Sequence, residues 1–370
     1  MSAADPLRPP SDGPDRVIRD DLDRIVRTCA EELSGLSGAS LLLTGAAGFV
    51  GRYLVESVIR FNEVSGGAPC VVTLPTRRPE QLRSRYPVQV AANEVVVAEW
   101  GDGHAIDLPG RRWDYVIHGA ATTDPAQFSE DPVASFRDTI SMAASVADLA
   151  NASVAKRVVL ISSGAVYGDQ PADLPEIPET FQGGSDRSVT SPGYAEAKRV
   201  SEDLFRQTGL DQRVARVFSL TGPYQDLASR FAVPDLIRQA VETGAIRLTS
   251  DGSARRSFCY ASDLSVILFR LLLGEPRHDI YNVGCRQGTA SIAEVAHAIA
   301  DIFGGLDVQL GSEARLRVDY VPRLDRLDEV YEPIVGLREG LLRTCHSLYA
   351  RGLIDRKPAI ALGGQGQGQG

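Results

Sequence analysis

The amino-acid sequence predicts an α/β protein built on a doubly wound parallel sheet, with a smaller mixed α/β lobe toward the C-terminus. Three observations carry that expectation. Short runs dense in Val, Ile and Leu recur from residue 40 onward, LLLTG, PCVVTLP, EVVVAEW, WDYVIHGAA, RVVLISS and RVARVFSL, and they lack the strict alternation of a strand with one wet face, as strands buried on both faces do. The segments between them are long enough for helices, and Arg52–Phe61, Pro132–Ala150 and Tyr194–Gln207 carry helical spacing, which is the alternation that builds right-handed βαβ units. A glycine-rich stretch, Thr44-Gly45-Ala46-Ala47-Gly48-Phe49-Val50-Gly51, stands directly after the first strand and before the first helix of the series.

Along the chain, residues 1–39 read as an N-terminal extension. Its first fifteen residues are rich in Pro, Asp and Ser and are expected to be disordered, while Val17 to Leu36 place apolar residues at helical spacing as an accessory helix. Residues 40–222 hold the sheet. Residues 223–356 form most of the smaller lobe, with segments returning to the sheet domain. Helices are expected there near Pro234–Thr243, Ala261–Leu273, Ile292–Phe303 and Leu337–Arg351, with a short strand at AIRLT. Residues 357–370 end in GGQGQGQG, a low-complexity flexible tail. Ligands of open α/β sheets bind at the carboxyl edge of the strands, so the crevice between sheet and lobe is where function is expected.

Composition removes several classes of function. With 39 basic against 48 acidic side chains the net charge is −9, the opposite of the basic excess by which nucleic-acid readers hold phosphate backbones. No apolar run reaches the roughly 18 residues of a membrane span, and the N-terminus lacks the apolar core of a signal peptide. The five cysteines, Cys29, Cys70, Cys259, Cys285 and Cys345, are odd in number and widely spaced, so neither a disulfide framework nor a zinc site is indicated. No metal, membrane or nucleic acid is expected, and a cytoplasmic location fits best.

The glycine stretch is the first motif with chemistry. Glycines at these spacings permit a tight turn, close approach of backbone to a pyrophosphate, and close packing of helix on strand, and the helix N-terminus adds free N–H groups. Gly45, Ala47, Gly48, Phe49, Val50 and Gly51 are therefore expected to hold a dinucleotide. The second motif is Tyr194-Ala195-Glu196-Ala197-Lys198. Residues i and i+4 share a helix face, so Lys198 can sit beside Tyr194, where an ammonium is expected to lower the phenol's pKa. A hydroxyl from Ser163, at the end of the strand Arg157–Ser163, would hold the reacting oxygen while Tyr194 takes or gives the proton that accompanies hydride transfer. At the end of the second strand, Val71-Val72-Thr73-Leu74-Pro75-Thr76-Arg77-Arg78 offers no carboxylate for a ribose 2′-hydroxyl and two arginines that suit a 2′-phosphate. NADP(H) is thus favoured over NAD(H), with Arg77 and Arg78 as its readers. His118 is expected to be structural.

With these motifs, VIHGAA (Val116–Ala121), ISSGAVYG (Ile161–Gly168), RVFSLTGPY (Arg216–Tyr224), DGSARRSFCYASDL (Asp251–Leu264) and YNVG (Tyr281–Gly284), the chain resembles the extended short-chain dehydrogenase/reductase family, in its NAD(P)-dependent nucleotide-sugar epimerase, dehydratase and reductase branch. The resemblance covers about Leu41 to Tyr349 and implies a Rossmann domain followed by a substrate-binding lobe. It further implies that Ala120, Ala121, Thr122, Ser162 and Phe218 join the cofactor site with Tyr194 and Lys198, and that Ser163, Gly164, Tyr194, Ser219 and Arg256 meet the substrate, Arg256 at the nucleotide diphosphate. Departures narrow the chemistry. Dehydratases of this family carry an Asp-Glu pair where Gly164 and Ala165 stand, and the similar decarboxylases keep a Glu at the position of Ala165. Thr139 and Ser219 each replace a usual Asn. The expectation is an NAD(P)H-dependent reductase of the 4-keto group of a nucleotide-diphosphate (deoxy)sugar, acting as a homodimer. The alternative is an NAD-dependent C4 epimerase, ahead of a decarboxylase or dehydratase and of a non-catalytic dinucleotide-binding protein.

Overall fold

The computed structural model describes residues 15–101, 108, 110–122, 128, 130–183, 193–312 and 318–362. Seven strands make its main sheet: β1 (Ser40–Thr44), β2 (Val71–Thr76), β3 (Val95–Glu99), β4 (Tyr115–His118), β5 (Arg157–Ser163), β6 (Gln212–Val217) and β10 (Ile280–Val283). Every pairing is parallel and the spatial order is β10-β6-β5-β4-β1-β2-β3. The order therefore reverses between β1 and β4, and at such a switch point the loops leaving the two strands diverge and open a crevice.

The runs without alternation are explained by burial on both faces. In β1, Leu41 and Leu43 join one apolar cluster and Leu42 the other. The first cluster lies under α2 (Phe49–Ser65) and α6 (Ala261–Leu273), and the second under α3 (Pro132–Ser153) and α4 (Gly193–Gln207). The six runs read from the sequence correspond to β1 through β6. Strand β10 is the addition: four residues long, it carries too little pattern to stand out, and it is drawn in by pairing with β6 from Ile280↔Val214 to Val283↔Val217.

The smaller lobe contains α5 (Ala232–Glu242), α7 (Ile292–Ile302) and α8 (Leu337–Ala350). A three-stranded sheet joins β7 (Ser219–Thr221), β9 (Arg255–Tyr260) and β11 (Thr289–Ser291), and β8 (Ala245–Arg247) pairs with β12 (Asp307–Gln309). Its core includes Leu236, Ile237, Phe258, Val295, Ile299, Leu341 and Leu348.

The extension forms α1 (Asp15–Thr28), followed by two short helical turns at Ala30–Leu33 and Ser34–Leu36 instead of one continuous helix. Cys29 leaves helical geometry between them, yet Leu33 and Leu36 remain fully buried, so the apolar periodicity survives the break. Helix α1 packs on α2, α6 and α8. Buried Asp21 accepts hydrogen bonds from Tyr53 Oη (2.9 Å) and Tyr260 Oη (2.7 Å) and pairs with Arg343 at 2.6 Å. Arg24 pairs with buried Asp263 at 2.7 Å. These contacts tie α1 to both the sheet domain and the lobe.

Candidate active site

The glycine turn is built as its sequence suggests. Gly45 adopts φ +81°, and a Cβ there would lie 2.8 Å from the Gly119 carbonyl carbon. A Cβ on Gly51 would lie 2.2 Å from the Gly45 carbonyl oxygen. Both positions thus bring backbone against backbone at the head of α2, in a cradle that side chains would fill. Gly48 is the residue before α2 in extended conformation, leaving the N-terminal amides of Phe49, Val50 and Gly51 at the mouth of the crevice. This arrangement suits a dinucleotide pyrophosphate.

Across the switch point, the register Thr44↔His118 sets these two residues side by side. Thr44 Oγ1 meets His118 Nδ1 at 2.8 Å and accepts the amides of Gly119 and Ala120 at 3.2 Å each. One threonine hydroxyl therefore shapes the loop carrying Ala120, Ala121 and Thr122 beside the glycine turn. His118 is buried, and burial pulls its pKa down to about 3. It is a neutral structural group.

Strand β5 and helix α4 bring Ser163, Tyr194 and Lys198 together. The Ser163 hydroxyl caps the following turn by accepting the Ala165 amide at 3.1 Å, and it lies beside the Tyr194 phenol. Lys198 is buried, and its ammonium donates to the Ile161 carbonyl at 2.9 Å. Burial lowers its pKa to about 8, partly opposed by Glu202. Tyr194 departs from expectation: burial pushes its pKa up to about 12, with Ser163 alone opposing the rise. The i, i+4 spacing puts Lys198 on the correct face, but its charge is directed into a strand carbonyl, so desolvation outweighs any acidification of the phenol.

Ser162 turns the other way, as adjacent residues of a strand must. Its hydroxyl donates to Glu202 Oε1 at 2.5 Å, so this side chain serves an internal network rather than the cofactor face expected for it. Glu202 is held in a two-pronged ion pair by Arg216, whose Nη1 also donates to Tyr167 Oη at 2.9 Å. Tyr167 passes the chain to Asn282 on β10. The sequence did not point to Glu202, whose only signal is its place one turn beyond Lys198.

On the lobe side, Gly164 and Phe218 adjoin, since a Cβ on Gly164 would sit 2.7 Å from the Phe218 ring. Phe218 itself is buried with Val166, Tyr167 and Ile177, so its ring belongs to this small cluster. Ser219 is the first residue of β7 and half-buried. Arg256 is half-buried beside exposed Arg255, and its Nη1 donates to the Val318 carbonyl at 2.6 Å. Arg77 and Arg78 lie exposed beyond β2, and Arg77 pairs with Asp138 of α3 at 3.2 Å.

A glycine cradle at the switch point with a Ser-Tyr-Lys set across it has close parallels. The family model described as the NAD dependent epimerase/dehydratase family matches residues 41–284. The chain belongs to that family. This is an extended short-chain dehydrogenase/reductase, and α1 lies outside the matched span. Among curated relatives, UDP-glucuronic acid decarboxylase 5 of Arabidopsis thaliana is 28% identical over 318 residues, covering 82% of this chain and 88% of the relative. UDP-glucuronic acid decarboxylase 1 of Xenopus tropicalis is 28% identical, covering 83% and 71%. Among solved structures, UDP-N-acetylglucosamine 4-epimerase of Methanobrevibacter ruminantium superposes with a TM-score of 0.69 at 19% identity, over 85% of this chain and 99% of that one. MoeE5, solved with UDP-glucose and NAD, gives 0.64 at 23%, over 85% and 99%. This chain is therefore a member of an NAD-dependent epimerase/dehydratase family, built on a Rossmann-like parallel sheet. Among its described residues, no helix is long and apolar enough to cross a membrane.

Proposed function

We propose that this enzyme carries out reversible oxidation and reduction at C4 of a UDP-type nucleotide sugar, completing the cycle as a C4 epimerase. The observation that carries the reading is the trio Ser163, Tyr194 and Lys198 at the crevice with Gly164 and Ala165 where a second acid–base pair would stand. Such a site can move one proton at the C4 oxygen and has no carboxylate at those two positions for elimination. Gly45, Gly48 and the N-terminus of α2 would hold the dinucleotide, with Ala120 to Thr122 along its other side and Lys198 at the nicotinamide ribose. The nicotinamide would supply the hydride acceptor and donor. Ser163 would hold the C4 oxygen, Tyr194 would exchange its proton, and Arg256 would meet the diphosphate.

The ketoreductase direction and NADP(H) preference expected from the sequence carry less support. The named relatives are epimerases and decarboxylases, a neighbour binds NAD, and Arg77 is already paired with Asp138. A decarboxylase reading is favoured by the curated relatives and opposed by Ala165. Homodimerisation through α3 and α4 belongs to the same reading and is checked by sedimentation velocity.

The test is incubation of the purified chain with UDP-glucose, UDP-galactose, UDP-N-acetylglucosamine and UDP-glucuronate, with NAD+ and no reductant. Interconversion of C4 epimers without carbon dioxide release is the expected result. Carbon dioxide and a UDP-pentose would establish the decarboxylase instead. Turnover seen only when NADPH and a 4-keto sugar are both supplied would return the reading to a reductase.

A further inference from the structure

Helix α4 is fastened to strand β5 at two successive points just before Ser163. The Lys198 ammonium donates to the Ile161 carbonyl at 2.9 Å, and one helical turn later the Glu202 carboxylate accepts the Ser162 hydroxyl at 2.5 Å. Lys198 and Glu202 thus engage consecutive residues of the strand, and Ser163 is the next residue along it. Residues four apart on a helix share one face, so the two attachments together limit how α4 slides along β5 and how it rotates. Tyr194, one turn before Lys198 on the same helix, takes its place from that register.

Glu202 is itself held from behind. Arg216 of β6 donates to it through Nε at 3.0 Å and Nη2 at 2.6 Å, and through Nη1 to Tyr167 Oη at 2.9 Å. Tyr167 donates to Asn282 Oδ1, and Asn282 Nδ2 to the Ile177 carbonyl, both at 2.8 Å. The Ile177 amide donates to the Val321 carbonyl at 2.8 Å. Next to Val321, the Tyr320 ring lies on Phe218 with centroids 4.4 Å apart, and a Cβ on Gly164 would lie 2.6 Å from its hydroxyl. One chain of polar contacts therefore runs from α4 to the segment that closes over Gly164. A buried ion pair adds little stability beyond what apolar side chains of the same volume would give. Its place one turn past Lys198 has another reason: the ammonium is buried against a neutral carbonyl, and a buried cation needs a compensating charge.

Resting on the reaction read above, we infer that Glu202 is a positioning residue for it: clamped by Arg216, it pins α4 to β5 through Ser162 and supplies the carboxylate that keeps the Lys198 ammonium charged in its seat on the Ile161 carbonyl. The other titratable and charged groups around that seat are taken up elsewhere or neutral. On α4, burial pushes Tyr194 up to about 12, and Arg199 donates to the Val166 carbonyl. On β4, His118 is neutral, and in the turn after β5 burial pushes Tyr167 up to about 12. Asp138 of α3 pairs with Arg77, and Arg216 of β6 with Glu202. Glu202 is thus the charge that holds the lysine's proton against the burial that draws it off.

The chain has three lysines, Lys156, Lys198 and Lys357, so the full chain with ε-13C lysine gives a short spectrum in which Lys198→Met assigns the Lys198 resonance. Removing a charge about 6 Å away, the separation of i, i+4 neighbours, at an effective dielectric of about 20 should lower the Lys198 midpoint in Glu202→Gln by on the order of 1–2 pH units. Glu202→Gln strands Arg216, so Glu202→Gln/Arg216→Gln, which leaves no stranded charge, is titrated beside it and decides if the single variant unfolds. Its midpoint should still lie at least about 0.5 pH unit below wild type. Ser162→Ala leaves the ion pair whole and removes only the pin. With a substrate that the wild type turns over, its kcat should fall by roughly 3–10-fold while KM stays within about twofold. A Lys198 midpoint equal to wild type in either Gln variant, or wild-type kcat in Ser162→Ala, overturns the inference. A wild-type chain inactive on every nucleotide sugar sinks the proposed reaction, whereas the lysine titration needs no substrate and still decides the role of Glu202.

Discussion

Lys198→Met separates function from stability in a way that follows from the lysine's surroundings. The ammonium is buried, and its pKa falls from the ordinary 10.5 to about 8 because burial disfavours the charged form. That fall corresponds to about 3 kcal/mol of destabilisation at neutral pH. Methionine of similar length removes this cost and also forfeits the hydrogen bond to the Ile161 carbonyl, worth about 1 kcal/mol. The variant should therefore be more stable than wild type by about 2 kcal/mol at pH 7, while losing turnover. The sign of the pH dependence is set by which state holds the proton. Below pH 8 both folded and unfolded lysines are charged, so the gap is constant. Between about 8 and 10.5 the unfolded chain binds the additional proton, the wild type gains stability as pH rises, and the gap should close. Other groups titrate in the same range, Cys285 among them with its pKa raised by burial to about 11, so the measured quantity is the difference between variant and wild type. Urea unfolding midpoints at half-unit steps from pH 6.5 to about 10 supply it. A variant less stable than wild type at pH 7, or a gap that stays constant through pH 10, would refute the assignment of a costly buried charge to Lys198.

Two further outcomes test the scaffold. Asp21→Ala strands Arg343 and the hydroxyls of Tyr53 and Tyr260 in the interior, and should cost about 3–5 kcal/mol, as removal of one partner of a buried ion pair does. Denaturant unfolding measures it, and a loss below 1 kcal/mol would mean that α1 is not held through this carboxylate. Gly51→Ala places a methyl group 2.2 Å from the Gly45 carbonyl oxygen; the backbone must yield, at roughly 1–3 kcal/mol. Calorimetric titration should find NAD+ bound on the order of tenfold or more weakly, and unaltered affinity would remove the cofactor from this turn.

Much of the site was legible because its signals are local. The glycine spacing before α2 and the i, i+4 pair on α4 are properties of neighbouring residues, and backbone geometry turns them directly into a cradle and a shared helix face. Ser163 was legible for a related reason, since it ends an apolar run and so had to emerge at the carboxyl edge. What escaped involves side chains brought together from far along the chain. Ser162 looks equivalent to Ser163 until the sheet's two faces are filled, and then its hydroxyl goes to Glu202. The electrostatics of Tyr194 follow the same pattern: spacing predicts that Lys198 is near, whereas burial and the partner chosen by the ammonium decide its effect on the phenol.

By itself, the sequence determined the parallel α/β architecture, the family, and the glycine turn before α2, because hydrophobic periodicity and glycine placement act over a few residues and leave few alternatives. Tertiary structure alone decided that α1 is bolted between sheet and lobe by Asp21 and Arg24, that β10 closes the sheet's edge, and that Tyr320, from far along the chain, sets its ring on Phe218 and its hydroxyl against Gly164. Such contacts depend on how packed elements meet in space, and a buried polar group finds its partner only once that packing has excluded water.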